Sequence, residues 1–113
     1  MRELPWTFKR TKGDISAIQG RVRAAEAPSV SFSGTPTVSA FNWDGTAIAA
    51  LQNQPTTIVA NGVSEAACEW LIDTTTSDFA AGVSYIIEMT MKYIALNDNT
   101  VRTRLLRARL DIV

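Results

Sequence analysis

From Gly82 to Ile94 the chain reads Gly-Val-Ser-Tyr-Ile-Ile-Glu-Met-Thr-Met-Lys-Tyr-Ile. Val83, Tyr85, Ile87, Met89, Met91 and Tyr93 fall on one side of a two-residue period, with Ser84, Glu88, Thr90 and Lys92 on the other. Successive side chains of a strand point to opposite faces, so this pattern predicts a long central strand with one buried face. A strand of that length must be covered by a second layer and flanked on both edges, and this excludes a helical bundle.

The flanking segments carry the same kind of signal. Glu65 to Asp73 places Cys68, Trp70 and Ile72 on one side and Glu69, Leu71 and Asp73 on the other. Thr37 to Trp43 is rich in β-branched and aromatic residues and is followed by the turn dipeptide Asp44-Gly45. Thr56 to Ala60 is a short strand followed by Asn61-Gly62. Thr46 to Leu51 is expected as the returning strand of a hairpin, although its alanines also suit a short helix. The polar run Gln52 to Pro55 ends it. Asp14 to Ala27 is ambiguous: helical spacings compete with alternation, and a strand with a bulge at Gly20 is the preferred reading. Val30 and Phe32 make a brief alternating piece. Thr74 to Ala81 is a connection in which Ser77-Asp78 could cap one helical turn at Phe79, and Asn97-Asp98-Asn99 is a tip that tolerates left-handed backbone. The final segment, Val101 to Val113, puts Leu106, Ala108, Leu110 and Ile112 on one parity and Val101, Thr103 and Leu105 on the other. That change predicts a bulge at Leu105-Leu106.

Strands of about five to thirteen residues separated by turn signals argue an antiparallel sandwich or barrel. A length of 113 residues suffices for one core. Residues 1–13 are expected to form an extended N-terminal arm anchored by Trp6 and Phe8, and residues 14–113 a single sandwich domain. Pro5 suits an edge or arm, and the arm could lie on its own domain or reach a neighbour.

Charge and composition narrow the function. Residues 1–23 carry six cations against two acids, residues 24–98 one against eight, and the last fifteen residues four against one, so basic ends enclose an acidic middle at zero net charge. Such ends could lie on the body of another copy. The absence of histidine removes the usual general base and the commonest metal ligand. One cysteine makes neither a disulfide nor a structural zinc site, and its parity with Trp70 and Ile72 marks it as buried. Neither a signal peptide nor a membrane-spanning run is recognisable. Asp44, Asp73, Asp78 and Asp98 are read as turn residues bonding their own backbone rather than as calcium ligands. No catalytic, cofactor-binding or metal-binding residue is assigned, and no small-molecule substrate is expected. Arg102, Arg104, Arg107 and Arg109 on one strand, with a basic N-terminus carrying Trp6 and Phe8, could in principle grip nucleic acid. The predicted bulge, however, is expected to send Arg102 and Arg104, which share parity with Leu106, to a different face from Arg107 and Arg109, which share parity with Leu105. A pI of about 6.2 also counts against a dedicated nucleic-acid binder. A tyrosine after a glycine at the start of the penultimate strand, as in Gly82-Val83-Ser84-Tyr85, suits a corner packing in which its hydroxyl bonds backbone upstream.

The order of these features resembles the small immunoglobulin-like modules of tailed-bacteriophage structural proteins. The features are a basic stretch ending Lys12-Gly13-Asp14, a strand ending Asp44-Gly45-Thr46, the Ser64 to Asp73 strand, Ala81-Gly82 before a tyrosine-bearing strand, and a last strand ending Leu110-Asp111-Ile112-Val113. The resemblance implies an all-β, immunoglobulin-like sandwich without enzymatic activity. It implies a role in the tail, baseplate, neck or capsid decoration of a virion, after synthesis in the host cytoplasm. The expected partners are other virion proteins and copies of the same chain. The expected interface residues are Trp6, Phe8, Lys9, Arg10, Arg107 and Arg109. Two other classes are weighed: a host-surface or carbohydrate-binding module presenting Trp43 and Phe79, and a nucleic-acid adaptor.

Overall fold

The computed structural model describes residues 6–23, 29–95 and 99–113, and it forms a two-layer β-sandwich. Among the described residues nine strands run in chain order: β1 (Thr7–Arg10), β2 (Ile15–Arg23), β3 (Val30–Phe32), β4 (Thr37–Asn42), β5 (Gln54–Pro55), β6 (Thr57–Ala60), β7 (Glu65–Asp73), β8 (Ser84–Ala95) and β9 (Val101–Ile112). One sheet has the order β1-β9-β8-β4-β5, with β3 pairing β8 farther along; the other is β2-β7-β6. All pairings are antiparallel except β1 with β9, which is parallel. A β2-β7-β6 layer facing a β4-β8-β9 layer is the immunoglobulin-like strand arrangement, in which the chain crosses between the two sheets more than once.

The stretch around β8 is central, as its period requires. Tyr85, Ile87, Met89 and Met91 are buried, and they meet Ile18, Val22, Cys68, Trp70 and Ile72 of the facing sheet in one core. Val83 departs from the expectation. It precedes the strand, next to the left-handed Gly82, and is exposed, because Gly82 and Val83 turn their backbone to Ile112 before the ladder begins. The expected tyrosine corner is present. The Ala80 N–H donates to the Tyr85 hydroxyl at 2.7 Å, and the Phe79 ring packs edge-on against Tyr85 with centroids 5.0 Å apart.

Several local expectations are corrected. β2 carries no bulge: its register with β7 is continuous from Ile15↔Asp73 to Arg23↔Glu65. Gly20 marks a close approach instead: a Cβ there would collide with Met89 Sδ and lie 3.0 Å from Met91 Sδ, so the methionine side chains would have to shift. β9 carries no bulge either, and pairs with β8 in unbroken register from Asp111↔Ser84 to Val101↔Ile94. The alternation fades at Leu105 because residues 101–105 are exposed on both faces, not because the strand changes side. The irregularity lies instead in β6, between Ile58 and Ala60. The strand returning beside β4 is Gln54–Pro55, and Ala49–Leu51 forms a single 3₁₀ turn. Residues 74–82 contain turns without a helix, and Phe79 plugs the core. Of the Asn97-Asp98-Asn99 tip, only Asn99 lies within the described residues, and it has φ 54°.

The basic N-terminal segment takes the first of its two possible destinations over its described part. Thr7 to Arg10 lie in parallel register with Arg109 to Ile112, and Phe8 packs against the core. Residue 13 is therefore a turn between two strands of one sandwich rather than the end of a free arm. Thr74, fully buried, locks that turn: its hydroxyl accepts from the Gly13 N–H at 2.9 Å and lies 2.7 Å from the Asp14 carbonyl. Lys12 adds Nζ–H bonds to the carbonyls of Thr76 and Phe79, at 2.7 and 2.6 Å.

Candidate functional site

The two sheets do not close against each other along the side where β1 and β9 face β2. A groove of about 350 Å³ remains there. Its apolar lining comes from Trp6 and Phe8 on β1 and its approach, Ile18 on β2, and Ile87, Met89, Leu106 and Ala108 on the central strands. Gln19, Arg21 and Arg104 supply the polar part of the lining. The parity of β1 explains the aromatic wall: Trp6 and Phe8 turn toward the sandwich interior while Thr7 and Lys9 turn out. Trp6 remains 46% exposed, far more than a core tryptophan, so one side of the groove is an accessible aromatic surface.

The six expected interface residues do not share one surface. Trp6 and Phe8 line the groove. Arg10 turns the same way, but its guanidinium sits 5.6 Å from the Phe8 ring centroid and donates to the carbonyls of Lys9 and Ala17 at 2.9 and 3.4 Å, tying β1 to β2. Lys9, Arg107 and Arg109 lie on the opposite, outer face of the sheet. There Arg107 pairs with Glu88 at 2.8 Å across β8 and β9. Arg109 pairs with Asp111 at 2.7 Å and stacks 5.1 Å from the Trp43 ring centroid. The Ser84 hydroxyl bond and the Arg109 bond, with smaller contributions from the Arg109 and Lys9 charges, hold the Asp111 carboxyl below its ordinary pKa.

Those pairings bear on the two other functional classes. The uninterrupted β9 sends Arg102 and Arg104 to one face and Arg107 and Arg109 to the other, so the four arginines form no single phosphate-binding stripe. Phe79 is 1% exposed and Trp43 is covered by Arg109, so the exposed aromatic pair that a carbohydrate platform would need is not formed. Asp44 and Asp73 each accept the backbone N–H and hydroxyl of a threonine two residues on, which lowers both carboxyl pKa values. Asp98 lies outside the described residues. Among the described residues no three acidic, cysteine or histidine side chains cluster as a cation site. No helix among them is long and apolar enough to cross a membrane. Cys68 is buried beside Met89, Sγ to Sδ 3.6 Å, and burial raises its thiol pKa.

The groove residues that sequence reasoning missed are Arg104, Leu106, Gln19 and Arg21. Arg104 and Leu106 share parity, and that was visible; what the sequence lacked was the position at which β1 stops covering β9.

Neither a family model nor a curated protein matches the chain. Among solved structures, the chain is similar to the periplasmic chaperone SfaE, with a TM-score of 0.51 and 14% identity over 94% of this chain. It spans about half, 53%, of that chaperone's length. At this identity the likeness concerns fold, and it agrees with the strand order in giving an immunoglobulin-like all-β sandwich.

Proposed function

We propose that the chain is a non-enzymatic structural module of a tailed-bacteriophage virion and works by protein–protein assembly. The observation that carries the assembly reading is the open groove with its half-exposed Trp6. Aromatic residues and arginines beside a desolvated apolar floor are the chemistry of interface anchors. The virion setting is supported by the order of sequence features from Lys12-Gly13-Asp14 to the closing Leu110-Asp111-Ile112-Val113. In this reading other virion proteins and copies of the chain are the partners, and symmetry multiplies a modest contact into a stable assembly.

Because β1 belongs to the sandwich, the informative perturbation is a point substitution rather than removal of the N-terminus. Gradient-purified particles from cells expressing the gene should contain the chain at fixed stoichiometry by quantitative mass spectrometry, and Trp6→Ala should lower that stoichiometry while leaving the thermal midpoint within a few degrees. Particles of normal composition without the chain would sink the proposal.

A further inference from the structure

β9 has twelve residues, but β1 pairs with only the last four of them. The backbone bonds show which groups the remainder leaves open. The Ile112 N–H donates to the Val83 carbonyl and its own carbonyl accepts from Gly82, so residues of even number turn their backbone to β8. The Arg109 N–H donates to the Trp6 carbonyl, and the Val113 N–H donates to the Arg10 carbonyl, so residues of odd number turn theirs toward β1. Val101, Thr103, Leu105 and Arg107 therefore point their N–H and C=O groups outward, where no strand among the described residues meets them. Long open edges template strand addition.

We infer that this edge accepts an extended, acidic-apolar segment of a partner protein as an added strand, collinear with β1. The inference deepens the assembly reading and rests on it. The side chains beside the edge define the segment. On the groove side the added strand would lie next to Leu106 and Arg104. Leu106 offers the apolar floor; Arg104 is exposed and makes no ion pair among the described residues. Arg21, also in the polar lining, is already held by Glu65 at 3.5 Å and by the Gln19 side-chain carbonyl at 2.7 Å, which leaves Arg104 as the cation that the segment would meet. A segment with an apolar residue and a carboxylate two positions apart, so that both fall on its groove-facing side, thus satisfies both the floor and the cation. A second copy fits worse. In an antiparallel pairing of two β9 edges, residues 101–107 of the second chain bring no carboxylate to meet Arg104, whatever the register.

The probe is an end-blocked octapeptide with Val and Glu taking turns along one face and Thr at every other position (the Glu-Val peptide), compared with its Lys-Val counterpart and with a Glu-Val peptide N-methylated at alternate residues. Backbone amide spectra and hydrogen exchange are the readouts. In the free chain the amides of Val101, Thr103, Leu105 and Arg107 should exchange rapidly while their even-numbered neighbours are protected. The Glu-Val peptide should shift resonances of residues 101–107 and of the Trp6 indole and slow those four amides at least tenfold. The N-methylated peptide should do neither. The lysine peptide should bind about fivefold more weakly or less, and Arg104→Glu should reverse that preference. Slow exchange of the four amides in the free chain would overturn the inference, because the edge would already be filled. Equal binding of the acidic and basic peptides, shifts confined to other strands, or no shift at millimolar peptide would also overturn it. Particle incorporation that persists when the peptide experiment fails separates loss of this inference from loss of the assembly reading.

Discussion

Thr74→Val tests whether the buried hydroxyl, rather than chain connectivity, holds the β1–β2 turn in place. The two side chains are nearly isosteric, so packing is preserved and the change isolates hydrogen bonding. Thr74 has no exposed surface. Its oxygen accepts from the Gly13 N–H at 2.9 Å, and its single proton serves the Asp14 carbonyl at 2.7 Å in preference to the Thr11 carbonyl at 3.0 Å. The Asp14 carbonyl keeps a second donor, the Thr74 N–H at 3.0 Å, so it is not stranded by the substitution. The Gly13 N–H is stranded. One lost bond at roughly 1 kcal/mol and one partly buried donor without a partner at roughly 1 kcal/mol give a loss of about 2 kcal/mol. For a domain of this size that is a fall of about 8 °C in the thermal midpoint. The assays are urea denaturation and amide exchange at Gly13, with Thr74→Ser as the control that keeps the hydroxyl. A valine variant within 0.5 kcal/mol of the parent would refute the reasoning, because about four times that loss is expected. A serine variant that loses as much as valine would do the same, since the buried methyl would then be the stabilising group.

Gly20→Val should cost about 1–3 kcal/mol through overpacking against Met89 and Met91; an unchanged urea midpoint would show that the close approach is not tight. Cys68, buried and with its thiol pKa raised by desolvation, should resist aromatic disulfide reagents at pH 8 in the folded state and react only as the chain unfolds, so a fast stoichiometric reaction of native protein would contradict its placement. Asp111 has a folded pKa depressed below 3.8 by Ser84 and Arg109, so its stabilising contribution is complete above 3.8 and is lost as pH falls through the folded value. Asp111→Asn should therefore flatten the acid limb of the stability–pH curve below about pH 4, and an unaltered limb would remove the role assigned to that network.

What the sequence revealed and what it hid follow from where each segment is buried. β7 was legible to the residue, because Cys68, Trp70 and Ile72 face one core and Glu69 and Leu71 face water, and a two-period pattern survives only under such one-sided burial. β8 was legible from Tyr85 to Met91 for the same reason, whereas Val83, read as inward, lies exposed before the strand. β2 was ambiguous because its outward positions include Ile15, 58% exposed, while an inward position holds Gly20, so hydrophobicity and direction disagree at both ends. The glycine read as a bulge because local sequence cannot show two methionine sulfurs arriving from the other sheet.

The candidate site failed to appear for a related reason, and the error over β9 shows how. A parity change at Leu105-Leu106 has two physical causes: a strand that crosses from one face to the other, or a strand that outruns its cover. The first needs a break in register, and the ladder from Val101 to Asp111 has none. The second needs only that the described part of β1 begins at Thr7, leaving Arg104 and the outward backbone of residues 101–107 without a partner strand among the described residues. Whether the ladder breaks or the cover ends decides between a conformational irregularity and an open edge, and only an open edge can take another strand. The signal that looked like a defect in β9 is therefore the sequence trace of the place where the described strands leave the edge open, next to the groove wall built from Trp6 and Phe8. If function is assembly, that junction of edge backbone and Arg104, both without a partner among the described residues, with an exposed tryptophan is where it begins, while Arg107 and Arg109 are held on the outer face by Glu88 and Asp111.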